Sequence, residues 1–490
     1  MNLKGPLPVA GIAGKRPPSA AWQGGSSFIL HRFTRLLTLL FLTASFTHGP
    51  VSAQAQGTDF KELETVIQEE LKETKTPGAA VVVISRGRVV FLKGFGVANV
   101  ETGAPVTPDM LFRLGSTTKM FTGAAALLLA EQGKLKLDAP IGVYAKGLPQ
   151  RLQQVTLHHL LSNTGGVGDF AAPFVSNDDS ALATMVRSWK DDVLFAEPGK
   201  IYSYSSPGYW LSGYVIEEAG GKPYANMMEE LLFRPLGMTR TTLRPLAAMT
   251  YPLSMGHSVA GRNKTAEVVR PAYNNVAQWP AGSIYSSATE LSRFATALLS
   301  GGRLEDKQVL PPSLFNRLSG RHAPMPGSTE VYYGYGLLNF ESRGVRLIMH
   351  GGFSRGYGSM IQMVPEHNFA IIVLTNKSGE TLRRTTQKAQ ELVLPLKSQE
   401  AEKPARALPL TSSDISRFAG RYANATQVWE IFAKNERLFL KYMDTEYPLT
   451  KTGEDRLAFG DSLENELVMV QGSEGRAEYL FTGLYSAKRS

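Results

Sequence analysis

Apolar residues recur at helical spacing from Phe60 to about Thr74, and the period then shortens to that of strands. Two β-rich runs follow, "GAAVVVIS" and "RVVFLKGFGVAN", joined by the short turn "RGR". The middle of the chain alternates apolar helical stretches with Gly/Pro-rich loops. Further strand-like runs come late: "VRLIMHGG", "GSMIQMVP" and "NFAIIVLTN". Strands at both ends with helices between them predict an α/β (α+β) domain. Its one sheet is assembled from distant segments, and a helical subdomain is inserted into it.

A helix ending near Leu394 is followed by "PLKSQEAEKPARALPL", polar and Pro-containing, which reads as a linker over residues 396–410. From about Thr411 the pattern becomes short alternating strands, "QVWEIFA", "RLFLKY", "ELVMVQ" and "AEYLFT", with polar turns. Residues 411–490 therefore predict a small all-β sandwich or barrel, lipocalin-like in size, that folds apart from the main domain at 56–395.

At the other end, "LLTLLFLTASFT" falls short of the roughly 20 apolar residues of a membrane span. Basic residues precede it and the small residues "VSAQAQ" follow, so residues 1–55 read as a secretory signal cleaved near Ala53 or Ala55. The basic stretch is long for a signal, which leaves an uncleaved anchor as the alternative. The chain has no cysteine, which removes disulfides, thiol catalysis and cysteine metal sites. A cysteine-free exported chain suits a bacterial periplasm or secretion.

Net charge is +9, but Lys4, Lys15, Arg16, Arg32 and Arg35 supply five of those charges, leaving about +4 for the rest. No basic stripe of the kind phosphate binding needs is present, so nucleic acid is not implied.

Chemistry concentrates at "LFRLGSTTKMFTGAAALLLAEQGKL". After Gly115 the sequence becomes a nearly all-apolar helix, Met120 to Ala130, stopping at Gly133. Apolar residues on every side predict a helix buried at a domain centre. Ser116 and Lys119, three apart, share one face of it. A Ser-x-x-Lys alone is weak, since an N-cap serine followed by a solvated lysine looks the same. A lysine between apolar turns must be neutral or paired, however, and desolvation can lower its pKa by the roughly 3 units that base catalysis needs. Tyr204, in "YSYSS" before an apolar helix, would be an ordinary packing residue elsewhere. Beside a neutral lysine it could relay protons.

A second serine competes. "HGGFSRG" contains Gly-x-Ser-x-Gly at Gly352, Ser354 and Gly356. A nucleophile elbow needs a helix after the serine, whereas "GYGSMIQMVPEHNFAIIVLTN" reads as a strand hairpin with Glu366 and His367 in its turn. The glycines fit close backbone approach at a strand edge better. His158 and His159 are adjacent rather than at metal-ligand spacing, and no carboxylate cluster completes a set. No metal or other cofactor is expected.

"RLGSTTK", "YSYSSPGY" and "HGG", in this order and spacing, resemble the serine β-lactamase and penicillin-binding-protein-like family, class C branch. The resemblance runs from about Phe60 to Leu394 and takes in "TLHHLLSNTGGVGD", "AGSIYSSATELSRFATALL" and "YGYGL". The tail resembles the small β-barrel appended to such hydrolases. This implies an antiparallel sheet flanked by helices, Ser116 as acylated nucleophile, Lys119 as its base partner and Tyr204 as general base. His350 stands in the third motif, and the backbone N–H groups of Ser116 and Phe353 would form the oxyanion hole, with Gly352 beside them. Two positions depart from the β-lactamase pattern. Ser206 replaces an Asn that contacts a substrate acylamide, and His350 replaces a fixed cation that meets a substrate carboxylate.

These readings imply an exported serine hydrolase that acts through an acyl-enzyme. Its substrates would be small esters, peptides or β-lactam-like amides, in the manner of an esterase or D-amino-acid peptidase or carboxypeptidase, with β-lactam turnover slow. Peptidoglycan is a candidate partner. The alternative is a catalytically silent cell-wall-binding protein on the same fold.

Overall fold

The computed structural model describes residues 58–259, 265–398, 406–460, 463, 465–473 and 475–490. The proposed signal sequence lies outside the described residues. No described helix is long and apolar enough to cross a membrane.

Helix α1 (Lys61–Thr74) leads into the strands β1 (Gly78–Ser85) and β2 (Arg88–Gly96). The buried helix α2 spans Thr118–Glu131, α3 spans Ser206–Gly220 and α4 spans Ala288–Leu299. Late in the domain come β3 (Ala323–Pro324), β4 (Tyr332–Tyr333), β5 (Leu338–Ser342), β6 (Val345–Ser354), β7 (Tyr357–Val364), β8 (Phe369–Thr375) and α5 (Arg383–Val393).

These strands form one eight-stranded sheet in the order β2-β1-β8-β7-β6-β5-β4-β3. Every pairing in it is antiparallel. The first strand of the domain thus pairs with the last, closing a chain loop that holds all the inserted helices. Strand β1 is buried on both faces, which explains why "GAAVVVI" lacks polar alternation. Ala80, Val82 and Ile84 pack with Phe121 of α2 and Phe294 of α4 in one core. Ala79, Val81 and Val83 pack with Leu63 and Ile67 of α1 and Ala389 of α5 in another. Helix α2 is buried over nearly its whole length. It ends where Gly133, with φ at +69°, lets the Gly133 and Lys134 N–H groups bond back to Ala130 and Leu129 carbonyls.

After helix Ser412–Phe418, capped reciprocally by Thr411 and Asp414, eight strands between Gly420 and Arg489 form a closed barrel, each paired with its neighbour in sequence. Tyr422, Trp429, Leu440, Leu457, Met469 and Leu480 belong to its core. The barrel is tied to the hydrolase domain, most directly beside Tyr204. The Leu484 carbonyl accepts from Tyr204 N–H at 3.0 Å, and Asn424 Nδ2 and Ser486 N–H each donate to Ser203 Oγ at 3.0 Å.

Candidate active site

Ser116 sits in a tight 3-10 turn, Gly115–Thr117, immediately before α2. It is not the helix cap: that position is Thr117, which makes no side-chain capping bond. The turn is pinned from two sides. Ser359 on β7 donates to the Leu114 carbonyl at 2.6 Å and shares a 2.7 Å hydrogen bond with Thr117 Oγ1. From the other side, Leu114 N–H donates to Ile284 O at 2.8 Å, and Ile284 N–H donates to Thr118 Oγ1 at 3.2 Å.

The glycines of "HGG" let β6 approach this turn without an intervening side chain. A Cβ on Gly352 would stand 1.9 Å from Leu114 O, an impossible contact. Gly115, at φ +56°, lies so close to Phe353 that a Cβ there would be 2.7 Å from Phe353 N and 2.3 Å from its O. The peptides of Ser116 and Phe353 are therefore neighbours, as an oxyanion hole built from them requires.

Lys119 is fully buried. Its Nζ lies 3.1 Å from Ser116 Oγ, 3.4 Å from Ser206 Oγ and 2.9 Å from the Ala281 carbonyl. It also stands over the rings of Tyr204 and Tyr209, 4.7 and 5.4 Å from their centroids. Burial pulls its pKa down to about 7, opposed by the charge of Asp169. Half the lysines would then be neutral at neutral pH.

Tyr204 is buried, and Ser116 acts on its phenol in the direction opposite to desolvation. Desolvation pushes that phenol up, so it keeps its proton near neutral pH. A protonated tyrosine can donate and relay, and Lys119 stands beside it with a pKa near neutrality.

His350 is also brought into the cluster, with its ring centroid 6.3 Å from that of Tyr204. The expected charge switch there does not fit its surroundings. It is buried, Nδ1 lies 2.6 Å from Gly351 O, and Nε2 lies 3.1 Å from Tyr333 Oη. Burial first, then the nearby Lys119, hold its pKa down to about 3. Histidine here is a neutral hydrogen-bonding group across the whole working pH range.

Ser206 opens α3 and points its hydroxyl towards Lys119, while its N–H donates to Asp169 Oδ1 at 2.9 Å. Ser354 belongs elsewhere. It pairs with Tyr357 across a two-residue turn between β6 and β7, with no helix after it. His158 and His159 lie in the short helix Leu157–Leu161, His158 Nδ1 meeting Tyr335 Oη at 2.8 Å. Among the described residues no group of three or more His, Cys, Asp or Glu side chains is arranged to hold a metal. A cleft of about 740 Å³ between the hydrolase and the barrel is lined by Lys200, Tyr202, Met325 and Arg456, but not by Ser116, Lys119 or Tyr204.

Two participants escaped the sequence reading. Ala281 contributes only a backbone carbonyl, which no side-chain motif can reveal. Asp169 lay in the quoted segment "TLHHLLSNTGGVGD", but nothing in its spacing tied it to Ser206 or Lys119.

A partly exposed serine beside a buried lysine and tyrosine at the head of a central helix, next to an antiparallel sheet, is the arrangement of the β-lactamase and penicillin-binding-protein-like class. A family model described as beta-lactamase matches residues 63–394, and the chain belongs to that family. Penicillin-binding protein 4* of Bacillus subtilis (strain 168) is 27% identical over 410 residues, covering 78% of this chain and 87% of that protein. Protein flp of Staphylococcus aureus (strain MRSA252) is 25% identical over 331 residues, covering 65% of this chain; the match spans 63% of the length of that relative. Among solved structures, SurE shares the fold with a TM-score of 0.71 at 24% identity, over 88% of this chain and 98% of that one. The octameric penicillin-binding protein homologue from Pyrococcus abyssi does so with a TM-score of 0.60 at 24% identity, over 88% and 99%.

Proposed function

We propose that the chain is an exported serine hydrolase that acylates Ser116 with neutral ester or amide substrates, in the manner of an esterase or D-amino-acid peptidase, and turns over β-lactams slowly. The observation that carries this reading is the fully buried Lys119, shifted to about 7, at 3.1 Å from Ser116 Oγ. A lysine in that state can take the serine proton at neutral pH.

The steps follow from the contacts. Ser116 Oγ attacks the carbonyl carbon while its proton passes to neutral Lys119 Nζ. The oxyanion forms beside the N–H groups of Ser116 and Phe353. The proton returns through the Tyr204 hydroxyl to the leaving alcohol or amine, which departs as the acyl bond to Ser116 is completed. Water then attacks the acyl-enzyme with the same groups acting in turn. Neutral His350 offers no fixed charge for a substrate carboxylate, which disfavours penicillins and D-alanyl peptides relative to uncharged esters. Peptidoglycan peptides remain among the amides this reading includes, and export rests on the sequence of residues 1–55.

Labelling the full chain with a fluorophosphonate, followed by peptide mass spectrometry, tests the reading. Modification is expected at Ser116. A chain that stays unmodified and hydrolyses no chromogenic ester would establish the silent binding protein instead.

A further inference from the structure

The mechanism leaves one titratable group beside Lys119 without a part. Asp169 stands on the loop after the short helix Leu157–Leu161, in a segment touched by the barrel. Its N–H donates to Asn424 Oδ1 at 3.1 Å. Its carboxylate accepts from the Ser206 N–H at 2.9 Å, and Tyr485, at the end of the turn joining the last two barrel strands, favours its charged form. The next residue back, Leu484, holds the Tyr204 N–H, and the rings of Tyr485 and Tyr204 lie 6.4 Å apart.

We propose that Asp169 is a positioning residue whose carboxylate, held by Ser206 and by Tyr485 of the barrel, supplies the counter-charge to Lys119 and thereby makes the barrel a working part of the catalytic centre. This rests on the hydrolase reading above.

The charges around Lys119 support it. Tyr204 and Tyr209 face the lysine with neutral phenols and His350 with a neutral ring, each held so by burial. Asp169 is the group whose charge raises the lysine's pKa against desolvation. Burial in turn pushes Asp169 towards its neutral form. The Ser206 N–H, the Lys119 charge and the Tyr485 hydroxyl oppose that. One of the groups that favour the ionised form of Asp169 therefore belongs to the barrel, and through it the barrel acts on the lysine's proton.

The sign of the effect follows. Without the Asp169 charge, Lys119 binds its proton less tightly, so the acid limb of kcat/KM moves to lower pH. An opposite charge at this range is worth roughly one unit. Asp169→Asn keeps the shape and can still accept from Ser206, so it removes charge rather than geometry. Tyr485→Phe weakens the ionised form of Asp169 and should move the limb the same way by less.

The test is the pH dependence of kcat/KM for a chromogenic ester, and of fluorophosphonate labelling, with the full chain and both variants. A downward shift of the acid limb of about a unit in Asp169→Asn, with a smaller one in Tyr485→Phe, is the expected result. A merely structural residue would lower the plateau and leave the limb where it is. Acid limbs that coincide with the unaltered chain, judged on Tyr485→Phe if Asp169→Asn is not soluble, overturn the proposal. An unaltered chain that neither hydrolyses nor labels fails the hydrolase reading, and this inference falls with it.

Discussion

Lys119 Nζ stands between Ser116 Oγ at 3.1 Å and the Ala281 carbonyl at 2.9 Å. Its donors thus end on a hydroxyl that can be deprotonated and on a carbonyl that cannot. The geometry holds the lysine on Ser116, whereas Ser354 pairs with Tyr357 at the β6–β7 turn. Ser116→Ala should abolish ester turnover, by about three orders of magnitude or more, whereas Ser354→Ala keeps most of it. Steady-state rates on a p-nitrophenyl ester decide this, and an active Ser116→Ala chain would remove the nucleophile assignment.

A base with a pKa near 7 must lose activity as it is protonated. The kcat/KM of the unaltered chain should therefore rise with pH through about 7 and level off above. Lys119→Arg keeps a charge of similar reach but cannot give up its proton, so acylation should fail at every pH. Intact-mass measurement after exposure to an acylating ester checks it: normal acylation would make the lysine structural only.

The environment of His350 reverses what an unperturbed histidine would predict. Its pKa of about 3 lies far below pH 6 to 8. KM values for an anionic ester and a neutral ester of similar size should respond alike across that range. His350→Lys, by contrast, is expected to favour the anionic substrate selectively. An anion-specific fall in KM between pH 8 and pH 6 in the unaltered chain would mean that the histidine is charged there after all.

Ending the chain at Ser398 would remove Leu484, Tyr485 and Asn424 together. The 202–206 segment would lose the hydrogen bonds that hold Ser203 and Tyr204. The hydrolase cores contain no barrel residue apart from contacts around Tyr202, Tyr204 and Ile201, so a soluble product is expected. Its labelling rate should fall on the order of 10²-fold, the scale of a small misplacement of catalytic groups. Full reactivity in that truncation would show that the barrel contacts are dispensable.

Much of this was legible in sequence where a residue's neighbours impose its state. Lys119 lies between Thr118 and Met120 in an apolar helix, so its burial and depressed pKa could be argued before any coordinates. The hairpin around Glu366 and His367 was equally readable: both are exposed in a 3-10 turn, and Asn368 takes the left-handed conformation after it. His350 misled because burial is a property of packing. Its shift comes from burial first and then from Lys119, a residue distant in the chain. For Tyr204, likewise, only the surrounding core sets the state of the phenol. Asp169 and Tyr485 were out of reach because their meeting depends on how the barrel seats against the loop that follows Leu157–Leu161.

The hydrogen bond from Tyr204 to Leu484 has a consequence in time as well as in space. The pieces of the site come from residues near 114, 169, 204, 281, 350 and 484. A chain made from its N-terminus carries Ser116 early but gains the Leu484 partner of Tyr204 only once the barrel strands have been made. Until that turn docks, Tyr204 would be held less firmly, and the serine beside it would react more slowly than in the folded molecule.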